Sequence, residues 1–372
     1  MEHLLYCRMR PIANNHPRSI WLSPYGPMSG EGRIVWVRRT VLASILSVLA
    51  PSVGAIDYLV NEPGRWSAWK FRAQPFTTKL YGASANDLNA FETQLRALDA
   101  MIRRAPAVAK PIGFSAQTWG YLSAYEAIAP AQPKGVELPL GGGLSFGAFS
   151  IFEYQRNGKT VREDGGETQL MNFVVNDIQP ALLGGRQRPS EWEGVDTDAF
   201  LQPASSGVVA GFPRYGNYIV ITKRQTPIWL PVSMESALRL VIAAEQKRMV
   251  YLRETRGPAA EIQRIEGKIA GLESHIASLR PEDRAAPACS TGRGEAWGQR
   301  FQIGVAADCR PLVRPNWAFF DRQLPRSAPQ VLLVTDIARC YAGKPSTDPG
   351  GCTTNRQLLE SLDRQALMDW LH

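Results

Sequence analysis

The sequence predicts an α+β fold with a mainly antiparallel sheet, a long helical hairpin or kinked helical arm, and a disulfide-stabilised C-terminal region. An Asn-Gly turn at 157–158 separates two extended runs, which is the strongest short signal for a β-hairpin. Apolar residues recur at intervals of three and four between 262 and 279. Four of the five cysteines follow residue 288. Hairpin signals outnumber any alternation of strands with crossover helices, so we expect antiparallel pairing.

Residues 1–55 are predicted to be a leader that ends in a secretory signal peptide. Arg38 and Arg39 precede an uncharged stretch at 40–50, which Pro51 ends, and small residues follow up to Ala55. A membrane-spanning helix needs about 20 apolar residues, and this run is too short. We therefore expect cleavage between Ala55 and Ile56, and a mature chain that does not span a membrane. The expected location is periplasmic or secreted.

Residues 56–232 are predicted to form an α+β domain with hairpins. A helix is expected over 85–104, because its apolar residues fall on one face and Ser84 is a typical N-cap residue. Further strands are expected at 168–175 and, as a second hairpin, within 208–223.

Residues 233–281 are predicted to be a long, coiled-coil-like helical segment. Gly257 and Pro258 interrupt it, and proline suits the first position of a second helix. The segment is therefore either a helical hairpin or one kinked helix. The second half carries a narrow apolar stripe at coiled-coil spacing, formed by Ile262, Ile265, Ile269, Leu272, Ile276 and Leu279. We expect this stripe to pack on a helix, either within the chain or in a protein partner or second copy.

Residues 282–372 are predicted to be a loop-rich C-terminal region with disulfides and a final helix. A strand is expected at 330–335, and the helix is expected to start at Thr354 with Gln357 completing a capping box. An even number of cysteines in an exported chain indicates disulfides, and we expect Cys289–Cys309 and Cys340–Cys352 because each closes a short loop. A zinc site would need more closely spaced ligand pairs.

The charge of the chain gives little support for a nucleic-acid partner. The formal net charge is +8 over 372 residues, and no run of Lys or Arg is present.

The motifs that carry chemistry are weak in this sequence. Gly143 to Gly147 match G-x-S-x-G around Ser145, but strand-like alternation follows and histidine is scarce, so we do not expect a nucleophile. Glu163, Asp164 and Glu167 form the best carboxylate cluster, in what is expected to be a solvated turn. Asp196 and Asp198 lack the rest of a calcium loop. We predict no metal and no cofactor.

Trp66, Trp69 and Phe71 lie close together near the mature N-terminus. They predict either a core strand or, less directly, an exposed aromatic strip that stacks on a glycan.

The sequence leaves two hypotheses for function. The first is an exported, non-enzymatic binding protein with a helical interaction arm. The second is a carboxylate-dependent or carbohydrate-active extracellular hydrolase. A concave pocket lined by two close carboxylates would favour the hydrolase, and an exposed apolar patch would favour the binding protein.

Overall fold

The structure, a computed structural model, describes residues 56–73, 78, 82–122, 137–165, 170–178, 189–192, 194–195, 197–216, 218–291, 301–304, 309–335 and 349–372. All of them belong to one unit that starts at Val53. The predicted cleavage point, Cys340 and Asp196 lie outside the described residues.

Fifteen strands and six α-helices are described. The strands are β1 (Asp57–Tyr58), β2 (Lys70–Arg72), β3 (Phe114–Leu122), β4 (Gly142–Arg156), β5 (Lys159–Asp164), β6 (Met171–Val175), β7 (Phe200–Leu201), β8 (Ser205–Val209), β9 (Phe212–Tyr215), β10 (Tyr218–Ile221), β11 (Trp229–Pro231), β12 (Ala288–Ser290), β13 (Phe301–Ile303), β14 (Arg310–Pro315) and β15 (Leu332–Thr335). The helices are α1 (Ala85–Arg104), α2 (Met234–Glu254), α3 (Ala259–Ser278), α4 (Pro281–Ala285), α5 (Cys352–Ser361) and α6 (Arg364–Trp370).

Ten strands form a large sheet in the order β2-β3-β4-β6-β15-β10-β9-β8, with β1 and β5 added along β4. Among the described strands only β2 and β3 pair in parallel. The predicted mainly antiparallel sheet is therefore confirmed. The hairpin at 157–158 is also confirmed, since Asn157 and Gly158 have φ of 53° and 71° and Arg156 pairs with Lys159.

One face of the large sheet is covered by α1, α5 and α6. The fully buried face of α1 carries Phe91, Leu95, Leu98 and Ile102. Helix α1 has the predicted bounds, and Ser84 caps it in a reciprocal capping box with Asp87.

Five strands form a small sheet in the order β11-β14-β12-β13, with β7 paired to β14. Side chains alternate between two clusters, so Val313 faces the large sheet while its neighbour Leu312 faces α2 and α3. The small sheet thus lies between the large sheet and the helix pair α2–α3.

Helices α2 and α3 have 21 and 20 residues and are joined by the four residues between Glu254 and Ala259. Ion pairs join Arg248 to Glu261 and Lys268 to Glu245, so the two helices run in opposite directions. The buried residues of α2 all lie between Met234 and Glu245. Residues 246–264, every one of them described, include no buried side chain.

The C-terminal region differs in detail from the prediction. The predicted capping box at Thr354 is wrong, because α5 begins at Cys352 after Gly351, and the Thr354 hydroxyl instead donates a hydrogen bond to the Pro349 carbonyl. A second helix, α6, follows, capped by Asp363, which accepts from the Ala366 amide at 3.0 Å.

The cysteine predictions are partly tested. The Cys289–Cys309 disulfide is confirmed and lies in the small sheet, where both cysteines are buried. Cys352 is also disulfide-bonded. Its predicted pairing with Cys340 stays a prediction.

Candidate functional site

The predicted apolar stripe of α3 lies largely inside the protein. Ile265, Leu272 and Ile276 are buried, whereas the other three members are half-buried. Leu272 and Ile276 pack in the cluster between α2 and the small sheet. The stripe therefore packs on α2 of the same chain. An interaction surface on the helix pair must then lie outside this stripe.

A cleft opens beside the helix pair, between α2 and the turn at Ser190–Trp192 with the nearby Gly194. Its volume is about 430 Å³. Its lining consists of Ser190, Glu191, Gly194, Ala244, Glu245, Lys247, Arg248 and Tyr251. A volume of this size suits a small ligand or one side chain of a partner.

Trp192 holds the turn that forms one wall of the cleft. Its ring is 1% exposed and stacks on Phe301 of β13 with centroids 5.8 Å apart. Gly194 has φ of 78°, a conformation that favours glycine, and its carbonyl accepts a hydrogen bond from Lys247 Nζ at 2.6 Å. This bond links the two walls of the cleft.

The mouth of the cleft carries an exposed aromatic ring. Tyr251 is 62% exposed, and the preceding Val250 is 51% exposed. Arg248 lies one turn earlier on α2 and bonds Glu261 of α3 at 2.7 Å. The guanidinium of Arg248 is therefore already engaged, whereas the ring of Tyr251 is open to solvent.

A buried carboxylate closes the inner end of the cleft. Glu245 is 4% exposed, and its Oε1 accepts a hydrogen bond from Lys268 of α3. Its Oε2 has no hydrogen-bond donor among the described residues. Burial lowers the pKa of Lys268, and the hydrogen bond that Lys268 donates to Glu245 opposes that shift.

A second cleft, of about 390 Å³, contains two of the predicted carboxylates. Asp164 forms an ion pair with Arg65 at 3.4 Å, and Glu163 accepts a hydrogen bond from the Tyr154 hydroxyl at 3.2 Å. They are successive residues of β5, so their side chains leave opposite faces of the strand. Both are exposed, and Glu167 lies outside the described residues.

Ser145 lies inside β4, where its hydroxyl donates a hydrogen bond to Asn172 Oδ1 at 2.6 Å. The strand continues to Arg156, whereas a nucleophile elbow needs a sharp turn into a helix. The geometry of an elbow is therefore not formed at this serine.

The aromatic residues near the N-terminus pack against the core of the large sheet. Trp66, Trp69 and Phe71 are all half-buried there. The guanidinium of Arg103 lies 4.4 Å from the Trp66 ring centroid, and Trp69 Nε1 donates to Glu92 at 3.2 Å. Only Phe71 lies in a strand, β2, but these contacts agree with a structural role for the three residues better than with a free glycan-stacking strip.

No group of three or more His, Cys, Asp or Glu side chains in the described part of the chain is placed to hold a metal ion. None of the helices within the described ranges is both long and apolar enough to cross a membrane.

The cleft residues Glu191, Glu245 and Tyr251 were not singled out by the sequence. A usable signal exists for one of them, because Glu245 follows Leu238, Val241 and Ile242 at helical spacing and so places a charge on the apolar face of α2. Glu191 has no such signal, because its burial depends on the fold of a connection without periodicity.

Comparisons of the chain with protein-family models, with curated proteins and with solved structures give no match in any of the three.

Proposed function

We propose that this chain is an exported, non-enzymatic binding protein, and that residues 246–264 of the helix pair are its interaction arm. The observation that carries the proposal is that this segment buries no side chain and yet exposes Val250 and Tyr251. An exposed end of a helix is normally polar, and adjacent exposed apolar side chains beside a cleft are typical of an interaction surface.

The arm has a rigid base. Leu238 and Val241 of α2 pack with Leu272 of α3 in the cluster on the small sheet. Beyond that cluster, two ion pairs join the helices, one between Arg253 and Glu266 at 2.6 Å and one between Arg248 and Glu261. A surface held in this way loses little conformational freedom when a partner binds.

Export is supported by the disulfide at Cys289 and Cys309. Structural disulfides persist in oxidising compartments and are rare in the cytosol. Together with the predicted leader at 1–55, the disulfide supports a partner in the periplasm or outside the cell.

The test is site-specific photo-crosslinking from the exposed arm. A benzophenone side chain is introduced at position 251 and, as the matched control, at Ala277, an exposed residue of α3 outside the arm. Deleting 234–281 would remove Leu238 and Leu272 from the core, so single exposed positions are the sharper choice.

We expect irradiation in intact producing cells to give a mass-shifted adduct from position 251 and none from position 277. Benzophenone inserts into C–H bonds of any chemistry, so the readout does not presuppose a protein partner. Equal adducts from both positions, or none from either, would contradict the proposed arm.

A carboxylate-dependent hydrolase is the second candidate, because Glu191 and Glu245 line the same cleft. Paired carboxylates can serve as general acid and base. Its test is turnover of neutral glycan substrates, compared between the wild type and Glu191→Gln. Turnover that this substitution abolishes, with the fold retained, would replace the binding proposal with this one.

A further inference from the structure

The inner end of the cleft beside α2 contains an acceptor that none of the described residues satisfies. Glu245 is 4% exposed and lines the cleft, and its Oε2 has no donor among the described residues. A buried carboxylate oxygen without a donor is unfavourable, so the complementary ligand group is a hydrogen-bond donor.

The donor that fits is neutral. Lys268 already pairs with the same carboxylate through Oε1, and both side chains are buried. A ligand cation bound at Oε2 would stand beside the Lys268 ammonium in a poorly solvated place, where like charges repel strongly. A hydroxyl or an amide N–H satisfies Oε2 without that repulsion.

The cleft also contains a hydrogen-bond donor, Lys247. Lys247 donates to the Gly194 carbonyl across the cleft, and an ammonium has three N–H donors. Lys247 and Glu245 both line the cleft, so a ligand in it can meet a donor at one residue and an acceptor at the other. A hydroxyl both donates and accepts through one oxygen, so a ligand with several hydroxyls can serve both residues.

The residues at the mouth of the cleft favour a ligand that also has an apolar face. Tyr251 lines the mouth with its ring 62% exposed, and Ala244 supplies an apolar wall. Sugar rings present hydroxyls at their edges and C–H groups on their faces, so one ring can place hydroxyls inward and pack a face on the tyrosine. The volume of about 430 Å³ accommodates a small saccharide.

From this arrangement we propose that the cleft between α2 and the turn at Ser190–Trp192 binds a neutral saccharide, with Glu245 and Lys247 on its hydroxyls and Tyr251 on its ring face. The inference rests on the proposed binding function, since it names the ligand class of the same surface. It assigns no turnover to the site.

The experiment titrates the full mature protein with maltotriose, cellotriose and chitotriose, and separately with spermidine as a cationic probe. Binding is followed by calorimetry and by saturation-transfer NMR. Tyr251→Ala removes the ring at an exposed position, so we expect the variant to fold like the wild type. Tyr58→Ala is the matched control, because Tyr58 is also an exposed tyrosine, 39% exposed, but lies in β1 of the large sheet.

We expect saturable binding of at least one trisaccharide, weakened about two- to tenfold in Tyr251→Ala and unchanged in Tyr58→Ala. Absence of saturable binding for all three sugars overturns the inference, as does equal affinity in the two variants. Saturable binding of spermidine without any sugar binding also overturns it, because the site would then select a cation.

The proposed interaction arm and the saccharide site can be contradicted independently of each other. If position 251 still gives its specific photo-adduct while no sugar binds, the arm is a binding surface and the saccharide inference alone is wrong. If neither experiment gives a signal, both are wrong.

Discussion

Lys268 of α3 and Glu245 of α2 form an ion pair in which the two side chains are only 8% and 6% exposed. The pair lies where the buried base of α2–α3 gives way to the segment 246–264, which buries no side chain. Taking two charges out of water is unfavourable, and the pair is tolerated because each charge neutralises the other. It fixes the register of α2 against α3 at this point.

Breaking this pair from one side should destabilise the protein strongly. Lys268→Met leaves the Glu245 carboxylate buried and unpaired, which we expect to lower the free energy of unfolding by about 3–5 kcal/mol. The double variant Glu245→Leu with Lys268→Met removes both charges and should recover most of that loss. Urea denaturation measures all three proteins. A single variant as stable as the wild type would show that the pair is not desolvated in solution.

The apolar stripe of α3 should behave as core and not as a dimer interface. Leu272 is 5% exposed in the cluster on the small sheet, so Leu272→Asp should lower the melting temperature markedly, by the equivalent of about 3 kcal/mol or more. Ala270→Asp, at an exposed position two residues away, is the control and should change little. Light scattering run alongside should show no change of mass. Conversion of a dimer to a folded monomer by Leu272→Asp would refute this assignment.

The N-terminal cap of α1 should depend on pH. Hydrogen bonds from the side chain and then the backbone of Ser84 lower the pKa of Asp87. The stabilisation from this cap is therefore complete above the ordinary aspartate pKa and is lost as pH falls through the lowered value. Ser84→Ala should destabilise the helix by about 1 kcal/mol and raise the Asp87 pKa. NMR titration of the Asp87 carboxyl would detect this, and an unchanged pKa in the variant would exclude the capping box in solution.

The disulfides should make separate contributions to stability. Cys289 and Cys309 are 20 residues apart, and removing their bond by a double Ser substitution should lower the free energy of unfolding by about 3 kcal/mol on the chain-entropy model. Peptide mapping without reduction should also recover Cys340 linked to Cys352. Recovery of Cys340 as an alkylated thiol would contradict the second pairing.

The mature protein should begin at Ile56. Sequencing of protein recovered from periplasm or medium is expected to read Ile-Asp-Tyr, the order at 56–58. A product that still contains 40–50 and fractionates with membranes would show that the leader acts as an anchor.

Elements governed by local rules were predictable from the sequence. The bounds of α1 follow from Ser84 and its apolar face, and the turn at Asn157 and Gly158 follows from the need for positive φ. The start of α2 after Ser233 follows from the same capping chemistry. In each case the decisive interaction lies within a few residues of the chain.

Elements governed by distant contacts were not predictable. The stripe of α3 has the spacing of a two-helix seam, but only the fold shows that α2 and the small sheet cover Leu272 and Ile276. The cleft combines Glu191 with Glu245, residues far apart in sequence that no local pattern connects. The break between α5 and α6 at Leu362 was also missed, because Asp363 caps a new helix inside an apolar pattern that looks continuous.

The position of β15 in the large sheet determines how late in folding that sheet can be completed. Residues 332–335 pair with β6 on one side and with β10 on the other, so they join the two halves of the large sheet. Until residues 332–335 have been synthesised, no strand connects those two halves. The clusters on both sides of the sheet also lack Leu332, Leu333 and Val334 until then. The chain therefore cannot complete its large sheet while most of it is being made. Closure through such sequence-distant pairing is slow, so the joining of the two halves should be a late step of folding.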